Sequence, residues 1–351
     1  MMKNKRHIYS ENPSKKMWDT FVFFENEPTV KQFLQNTYEQ NQIKDTYKFA
    51  FQNTSKFIYF IKQAKEYFYS ADKSNILVKP LLIYYGMMNL MKAFILTKDP
   101  SYPSHTGVLR HGITTRKLKK NQYQFHDDEI KVQKEGLLPL FYTLLTNHPV
   151  EKIEGNKYKI KELLSLLPEL RHSYQRIFKE QLLFPIKLNQ KDHEIYFSVS
   201  KNFLDFYQHD LARLTSELNQ YKPHKDYQFY TSKSEQMNQI QIGVNLDKDI
   251  FKSKDPFQGH PMFTIDYKGY YYLRPFQESR FLLPETIIDY MIMYNLGMLC
   301  RYETELWGDI IFSFSSEDMY LINEFVNITL RTFPNRILND LFREIIIFDF
   351  V

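Results

Sequence analysis

The sequence predicts a mainly helical fold of the α+β class, because two kinds of apolar pattern occupy different parts of the chain. Apolar residues recur with helical period through most of residues 17–189 and again from residue 284 onward. Between residues 190 and 275, apolar residues instead form short segments rich in aromatic and β-branched types, which are typical of strands. We therefore expect a helical lobe, a mixed module with a small antiparallel sheet, and a C-terminal helical lobe packed on the first.

Length and composition set the number of lobes. The chain has 351 residues, more than one ordinary hydrophobic core accommodates. Hydrophobic residues make up 43% and charged residues 25%, the balance of a soluble globular protein. We predict a flexible leader over residues 1–16, a helical lobe over 17–189 with a short hairpin near 123–133, a mixed module over 190–275 and a helical lobe over 276–351.

Helices dominate the predicted first lobe. Apolar positions from Ser55 to Ala71 follow helical spacing, and Pro80 lies in the first turn of the next helix, where its missing N–H costs no hydrogen bond. The residues "HDDE" at 126–129 separate two alternating segments and predict the hairpin. Other helices are predicted over "MWDTFVFFE", "TVKQFLQNTYEQ", "GLLPLFYTLLT" and "KIKELLSLLPELRHSYQRIF", the last of them interrupted at Pro168.

The rest of the chain contains the predicted strands and the last helices. Strands are predicted over "HEIYFSVS", "DYQFYTS", "NQIQIGV", "MFTIDY" and "YYYLRPF", with a turn at "DYKG" and a helix over "NFLDFYQHDLARLTSELNQ". From Pro284 to the end, helices are predicted over "PETIIDYMIMYNLGMLCRYETELWGDIIF", "EDMYLINEFVNITLRTF" and "PNRILNDLFREII".

Several classes of site and location are excluded by composition. The single cysteine, Cys300, lies in an apolar run and allows neither an intrachain disulfide nor a cysteine-rich zinc site. His105 and His111 lack a third metal ligand, and the adjacent acids of "HDDE" point in different directions on a turn. We expect no metal and no cofactor. The basic start is not followed by an apolar signal core, which favours a cytoplasmic protein.

The apolar segment "PLLIYYGMMNLMKAFIL" from Pro80 to Leu96 is interrupted by Asn89 and Lys92, and it is shorter than the roughly 20 residues that a membrane span needs. We interpret it as a buried helix and expect no membrane association. Tyr85, Asn89 and Lys92 are spaced i, i+4, i+7 and therefore share one helix face, where they could line a polar pocket. The alternative is that Lys92 reaches water past the helix end and Asn89 bonds to backbone.

The segment "RHGITTRKLKKNQYQF", residues 110–125, carries five Lys or Arg and no acid. Thr114 and Thr115 supply hydroxyls, Arg116 can hold a phosphate through two hydrogen bonds, Lys117 adds point charge, and His111 can donate a hydrogen bond. We predict an anion site here, opposite the Lys92 face. A solvated basic loop, an RNA contact or an acidic protein surface are the alternatives left open.

A fourth cation, Arg301, could reach the same anion. Alternatively, it forms an ion pair with Glu303 or Glu305 under the ring of Trp307. Residues 300–351 contain four arginines and nine acids, so this end could also dock against the basic segment within the molecule.

Several phrases together resemble the YaaC-like protein family. They are "PLLIYYGMMNL" with Lys92 and Ala93, "HGITTRK" at 111–117, "IKVQKEGL" at 130–137, and "LCRY" at 299–302 ahead of Trp307. Because genes of some family members lie beside that for IMP dehydrogenase, the resemblance implies a connection with purine metabolism. The helical part also resembles the HEPN group, whose active nucleases carry an Arg and, four to six residues later, a His. That spacing does not occur in this sequence.

The leading hypothesis from these residues is a soluble, non-catalytic regulatory or binding protein. We expect it to hold a phosphorylated small molecule, such as a purine nucleotide, between Lys92 and the segment 111–120. One alternative is a HEPN-like ribonuclease or abortive-infection effector that uses His111 and Arg116. The other is a protein-interaction regulator of a purine-synthesis enzyme such as IMP dehydrogenase.

Overall fold

The structure is a computed structural model. It describes residues 3–116, 123–191, 194–221, 227–231, 238–245, 255–276, 283–312 and 317–351.

The first part of the chain is helical, as predicted. Asn12 and Asn26 cap the first two helices, because their side-chain oxygens accept hydrogen bonds from the backbone of Lys15 (2.9 Å) and Thr29 (3.1 Å). The long helices are α1 (Pro13–Phe21), α2 (Glu27–Gln40), α3 (Thr46–Lys73), α4 (Lys79–Lys98) and α5 (Leu137–Thr146). The shorter α6 (Ile160–Leu164) and α7 (Arg171–Phe178) flank a 3-10 turn that begins at Pro168.

Helix α4 is the centre of the core. Buried residues occur on all its sides, and it packs against α2, α3 and α5 as well as two helices near the C-terminus. Gly86 allows α3 to approach closely, because a Cβ there would lie 2.7 Å from the ring of Phe68. Among the described residues, α4 alone is long and apolar enough to cross a membrane, but 72% of its most apolar window is buried inside the protein. The prediction of a buried helix is confirmed.

A small antiparallel sheet beside this core corrects the predicted hairpin. Its strands are β2 (Ile113–Arg116), β3 (Glu129–Val132) and β4 (Lys157–Lys159), in that spatial order. The predicted hairpin near 123–133 turned at "HDDE", but residues 125–127 form a 3-10 turn and β3 pairs with β2 across a longer connection. Asp318 accepts a hydrogen bond from the backbone N–H of Phe125 (2.8 Å), so a distant acid fixes this segment in a non-strand conformation.

The mixed module has its own hydrophobic core and begins at Phe184, slightly before the predicted boundary at residue 190. Its larger sheet has the order β6-β7-β9-β8 and its smaller sheet the order β10-β11-β5, all antiparallel. Helix α8 (Leu211–Gln220) packs on the larger sheet. The strands are β5 (Phe184–Pro185), β6 (Lys187–Lys191), β7 (Glu194–Ser200), β8 (Gln228–Thr231), β9 (Gln239–Asn245), β10 (Phe263–Ile265) and β11 (Tyr271–Leu273).

The C-terminal helices join the first lobe in one continuous core. They are α9 (Glu285–Tyr302), α10 (Thr304–Phe312) and α11 (Asp318–Phe342). Helix α11 continues through Pro334, where two helices were predicted, and the chain ends in strand β12 (Glu344–Phe350) instead of a helix.

The predicted flexible leader over residues 1–16 is wrong. Residues Asn4–Ser10 form strand β1, which pairs in parallel with β12, so the two ends of the chain share one small sheet. Lys3 forms an ion pair with Asp340 (2.5 Å), and the Lys5 ammonium lies 4.3 Å from the ring centroid of Tyr271. The basic residues that suggested a loose leader therefore bind acidic and aromatic partners far away in sequence.

A buried ionic network connects α9, α11 and the turn before α7. The guanidinium of Arg336 donates to both carboxylate oxygens of Glu169, at 2.9 and 3.0 Å, and to Asp289. Both acids are buried, so one cation serves two carboxylates that have lost their water. Burial is the largest effect on Asp289 and raises its pKa to about 7.

We predict that β1 contributes to stability. Deleting residues 1–10 should lower the free energy of unfolding by about 2 kcal/mol or more, because the deletion removes the ladder to β12 and the packing of Ile8. Urea unfolding followed by circular dichroism measures this. Tyr9→Ala is the matched control, since Tyr9 is 66% exposed and its loss should change little. An unchanged midpoint after the deletion would contradict the structure.

We predict that Asp289 makes stability pH-dependent. Its pKa is higher in the folded protein than in the unfolded chain, so the folded state binds more protons and the free energy of unfolding falls as pH rises from about 4 to about 7. Asp289→Asn should reduce this slope, whereas Asp289→Ala should also lower stability throughout, since it loses the bond to Arg336. Urea unfolding at several pH values tests both; an unchanged slope in the Asn variant would refute the assignment.

Candidate functional site

Three basic side chains from separate parts of the sequence lie in one region, between α4, α9 and the turn before β2. They are Lys92 on α4, His111 before β2 and Arg301 in the last turn of α9. We call them the cationic cluster. Both Arg301 and Lys92 act electrostatically on the imidazole of His111, which places His111 within range of both.

His111 is held by tyrosines of the core. Its Nδ1 lies 2.5 Å from the hydroxyl of Tyr84, and that hydroxyl lies 3.3 Å from the hydroxyl of Tyr290. The imidazole also packs against Tyr294, with ring centroids 5.4 Å apart. Since α4 supplies Tyr84 and α9 supplies the other two tyrosines, the packing of these two helices fixes the position of the imidazole.

Arg301 is exposed and points toward α4. Its Nη1 donates to the hydroxyl of Tyr85 (3.3 Å), and its guanidinium lies 4.9 Å from the ring centroid of Tyr302. Among the described residues, no carboxylate lies within 4 Å of this guanidinium. The alternative ion pair of Arg301 with Glu303 or Glu305 is therefore not found in the described part of the chain.

Lys92 is half-buried on α4, with its Nζ 5.8 Å from the ring centroid of Phe60 on α3. Burial lowers the pKa of its ammonium, because the charged form loses water. In the described part of the structure, no ion pair compensates for that loss. Lys92 therefore brings a partly dehydrated positive charge to the site.

The environment keeps His111 neutral near pH 7. Burial is the largest cause of its lowered pKa, and repulsion from Arg301 and then Lys92 lowers the pKa further. A second proton on the imidazole would be a third positive charge in the same place. The neutral ring can still donate one hydrogen bond.

Two other predicted site residues, Asn89 and Thr114, form hydrogen bonds within the protein. Asn89 is buried and donates to the backbone carbonyl of Tyr85 (3.1 Å), so its amide supports the helix, as the alternative interpretation had it. The hydroxyl of Thr114 accepts a hydrogen bond from Gln133 (2.9 Å).

The other predicted site residues, Thr115, Arg116 and Lys117, follow Thr114 in the basic segment. Thr115 and Arg116 pair with β3 through their backbone. The side chain of Arg116, and residues 117–122 including Lys117, lie outside the described residues. Their predicted part in the anion site stays a prediction.

Acids from the C-terminal helices contact the last described residues of the basic segment. Asp318 accepts hydrogen bonds from the backbone of Phe125 (2.8 Å) and pairs with His126 (2.8 Å). Tyr123 lies 2.5 Å from Asp128, and Glu303 adds to the negative field around it. Acids of the C-terminal helices thus act on residues 123–126, at the end of the basic segment.

Sequence analysis missed the tyrosines that position His111. Tyr84 precedes the predicted Tyr85, and Tyr290 and Tyr294 are spaced i, i+4 on α9. Each lies in an apolar run, where tyrosine is most often a core residue. The i, i+4 spacing was the one available signal for a shared face.

A large cavity in the described part of the chain lies elsewhere. It has a volume of about 790 Å³ and is lined by α1, α3, α11 and Tyr267. In that same part, no group of three or more His, Cys, Asp or Glu side chains is placed to hold a metal ion.

Comparison with known proteins gives one match. The model of a family described as YaaC-like Protein matches residues 22–341, nearly the whole chain and every member of the cationic cluster. No curated protein and no solved structure matches the sequence.

We predict that Arg301 depresses the pKa of His111. Arg301→Gln should raise that pKa, because removal of a nearby cation makes the imidazolium less costly. An NMR titration of the imidazole Cε1–H signals measures this, with the His111 signal assigned from its absence in His111→Gln. Arg213→Gln, on α8 in the mixed module, is the matched control. If His111 had the same pKa in the wild type and in Arg301→Gln, Arg301 would not act on His111 and would not belong to the cluster.

Proposed function

The chain belongs to the YaaC-like protein family, and we propose that this member binds a phosphorylated small molecule at the cationic cluster without catalysing its conversion. The proposal rests on one observation: Arg301 and Lys92 both act electrostatically on His111, and no described carboxylate forms an ion pair with any of the three. Lys92 and Arg301 keep two positive charges near one neutral imidazole, and like charges repel each other unless an anion lies between them. A phosphate group would relieve this repulsion.

The three groups offer complementary ways of holding a phosphate. The guanidinium can donate two parallel hydrogen bonds, and the ammonium contributes a compact charge. Suppose that Tyr290 donates to Tyr84 and Tyr84 donates to Nδ1 of His111. The imidazole then carries its proton on Nε2 and can donate it to the ligand. The hydroxyl pair would select that tautomer.

Binding is favoured over acid–base catalysis by the state of these groups. Burial raises the pKa of Tyr84 far above neutrality, so its hydroxyl stays protonated and cannot accept a proton from a substrate. The lowered pKa of His111 leaves it neutral at pH 7, which makes it a poor general acid. A regulatory or carrier function needs neither ability.

A nucleotide is the phosphorylated ligand that fits best. Tyr302 is 59% exposed next to Arg301, and the ring of Tyr85 lies 5.7 Å from that of Tyr67, so aromatic surfaces border the cluster. Aromatic side chains beside cations bind bases by stacking. The connection with purine metabolism agrees with this choice.

The two alternative functions stay predictions. The HEPN-like ribonuclease would need an Arg and His pair, and the required spacing is absent from the sequence. The interaction with a purine-synthesis enzyme has no specific surface among the described residues to support it. A cytoplasmic location also stays a prediction, compatible with the burial of α4.

We expect isothermal calorimetry to detect binding of a nucleoside monophosphate and, more weakly, of inorganic phosphate. Arg301→Gln and Lys92→Gln should each weaken the affinity about tenfold or more, the effect of losing one charge-assisted hydrogen bond. Higher salt should weaken binding further, because these groups are partly exposed. Arg116→Ala tests whether the basic segment takes part.

Lys79→Gln is the matched control, since Lys79 lies on the same helix, about 20 Å from Lys92 along its axis. That variant should bind like the wild type. No heat with any phosphate ligand, or an equal loss of affinity in the control, would contradict the proposal.

A further inference from the structure

A large cleft lies apart from the cationic cluster, between α1, α3 and α11. Its volume of about 790 Å³ lies within the range of small-molecule sites, about 300–1,000 Å³. The proposed phosphate site does not use it, because none of Lys92, His111 and Arg301 lines it.

The cleft is locally acidic in a protein with a formal net charge of +5. Its basic side chains are already engaged: Lys15 pairs with Asp19 (3.0 Å) and Lys65 with Glu25 (3.1 Å). Arg331 donates to the backbone carbonyl of Phe348 (2.5 Å). Carboxylates thus neutralise the two lysines, whereas Arg331 keeps its positive charge because a carbonyl oxygen is neutral.

Three carboxylates of the lining are not neutralised in this way. Glu66 and Asp72 on α3 and Glu324 on α11 have no cation within 4 Å among the described residues. Glu324 accepts only a long hydrogen bond from Ser173 (3.5 Å). The acids are on two facing helices, so a ligand between the helices would meet negative charge from both sides.

Aromatic rings accompany these acids. Trp18 and Tyr69 line the cleft, and so does Tyr267, whose ring centroid lies 4.4 Å from the guanidinium of Arg331. The ammonium of Lys73 similarly lies 3.9 Å from the ring centroid of Tyr69. Cations therefore already lie against two of these rings, and this combination of rings and carboxylates is what recognises organic ammonium groups.

A buried hydroxyl in the wall has no partner. Thr332 is 1% exposed, and its Oγ1 makes no hydrogen bond within the described structure. Thr332 and Tyr267 line both the cleft and a smaller inner cavity of about 200 Å³. Buried polar atoms without partners are rare in proteins, so an unpaired hydroxyl at this place indicates a polar guest.

The inner cavity extends the acidic surface. Glu285, which accepts a hydrogen bond from Thr264 (2.5 Å), lines it together with Asp255, Asp266 and Asp340, against Lys3 and Arg336 as basic residues. Acidic side chains outnumber basic ones in both cavities. This excess of acidic side chains favours a positively charged guest in each cavity.

From these contacts we infer that the cleft between α1, α3 and α11 binds an organic polycation of the polyamine class. A flexible chain with several ammonium groups would place its charges against Glu66, Asp72 and Glu324 and its methylene groups against Trp18. The hydroxyl of Thr332 would accept a hydrogen bond from one ammonium group.

Trp18 provides the measurement, because it lines the cleft while the other tryptophan, Trp307, is buried and donates to the carbonyl of Leu77. Titration of the full-length protein with spermidine should produce a saturable change in tryptophan fluorescence, and Trp18→Phe should abolish it. Calorimetry on the Trp18→Phe variant should still detect binding of spermidine, which would show that the variant has lost the fluorescence signal and not the binding. The double variant Glu66→Gln/Glu324→Gln should weaken spermidine affinity about tenfold.

Glu39→Gln is the control, since it removes an exposed acid on α2 outside the cleft. It should bind spermidine like the wild type. Sodium chloride at equal ionic strength should not reproduce the fluorescence change. A signal that salt alone reproduces, no saturable change or heat with spermidine, or unaltered affinity in the double variant would each overturn the inference.

Discussion

Burial of α4 on every side is the constraint on which the rest of the structure depends. A helix without a polar face must be covered all round, and the N-terminal helices alone do not suffice. Helices α9 and α11, about 200 residues later in the sequence, complete the cover, so the predicted first and last lobes become one core. The parallel pairing of β1 with β12 follows, since α1 and α11 already bring both chain ends to the same side.

Polar groups inside such a core need partners, and the protein meets that need in two ways. Around Arg336, one guanidinium serves two carboxylates, and the burial of those acids makes stability sensitive to pH. Around Tyr84, hydroxyls and an imidazole bond to one another without any charge. The second arrangement reaches the surface at His111, and there the cationic cluster forms. The candidate site is thus the outer end of a chain of hydrogen-bonded polar groups that begins inside the core.

The sequence predicted most elements, because helical period and alternating β-branched residues are local signals. It failed where distant partners decide. Residues 4–10 form a strand only because β12 is available, and residues 125–127 leave the strand conformation because Asp318 binds their backbone. For the site, charge pattern alone led to Lys92, His111 and Arg301. The same pattern could not identify Tyr84 or Tyr290, because nothing local distinguishes a tyrosine that bonds to a histidine from one that only packs.

The two candidate sites also show why net charge is a poor guide to the partners of this protein. Neighbouring residues of α3 serve both: Tyr67 packs against Tyr85 beside the cationic cluster, while Phe68 and Tyr69 line the acidic cleft. Successive residues of a helix point about 100° apart, so one helix can present its sides to opposite charges. Because α3 packs along α4 at Gly86, a ligand that shifts α3 at one site would disturb the contacts at the other. The formal net charge of +5 is a sum over the whole chain, so it does not show that a basic site and an acidic site lie in different places.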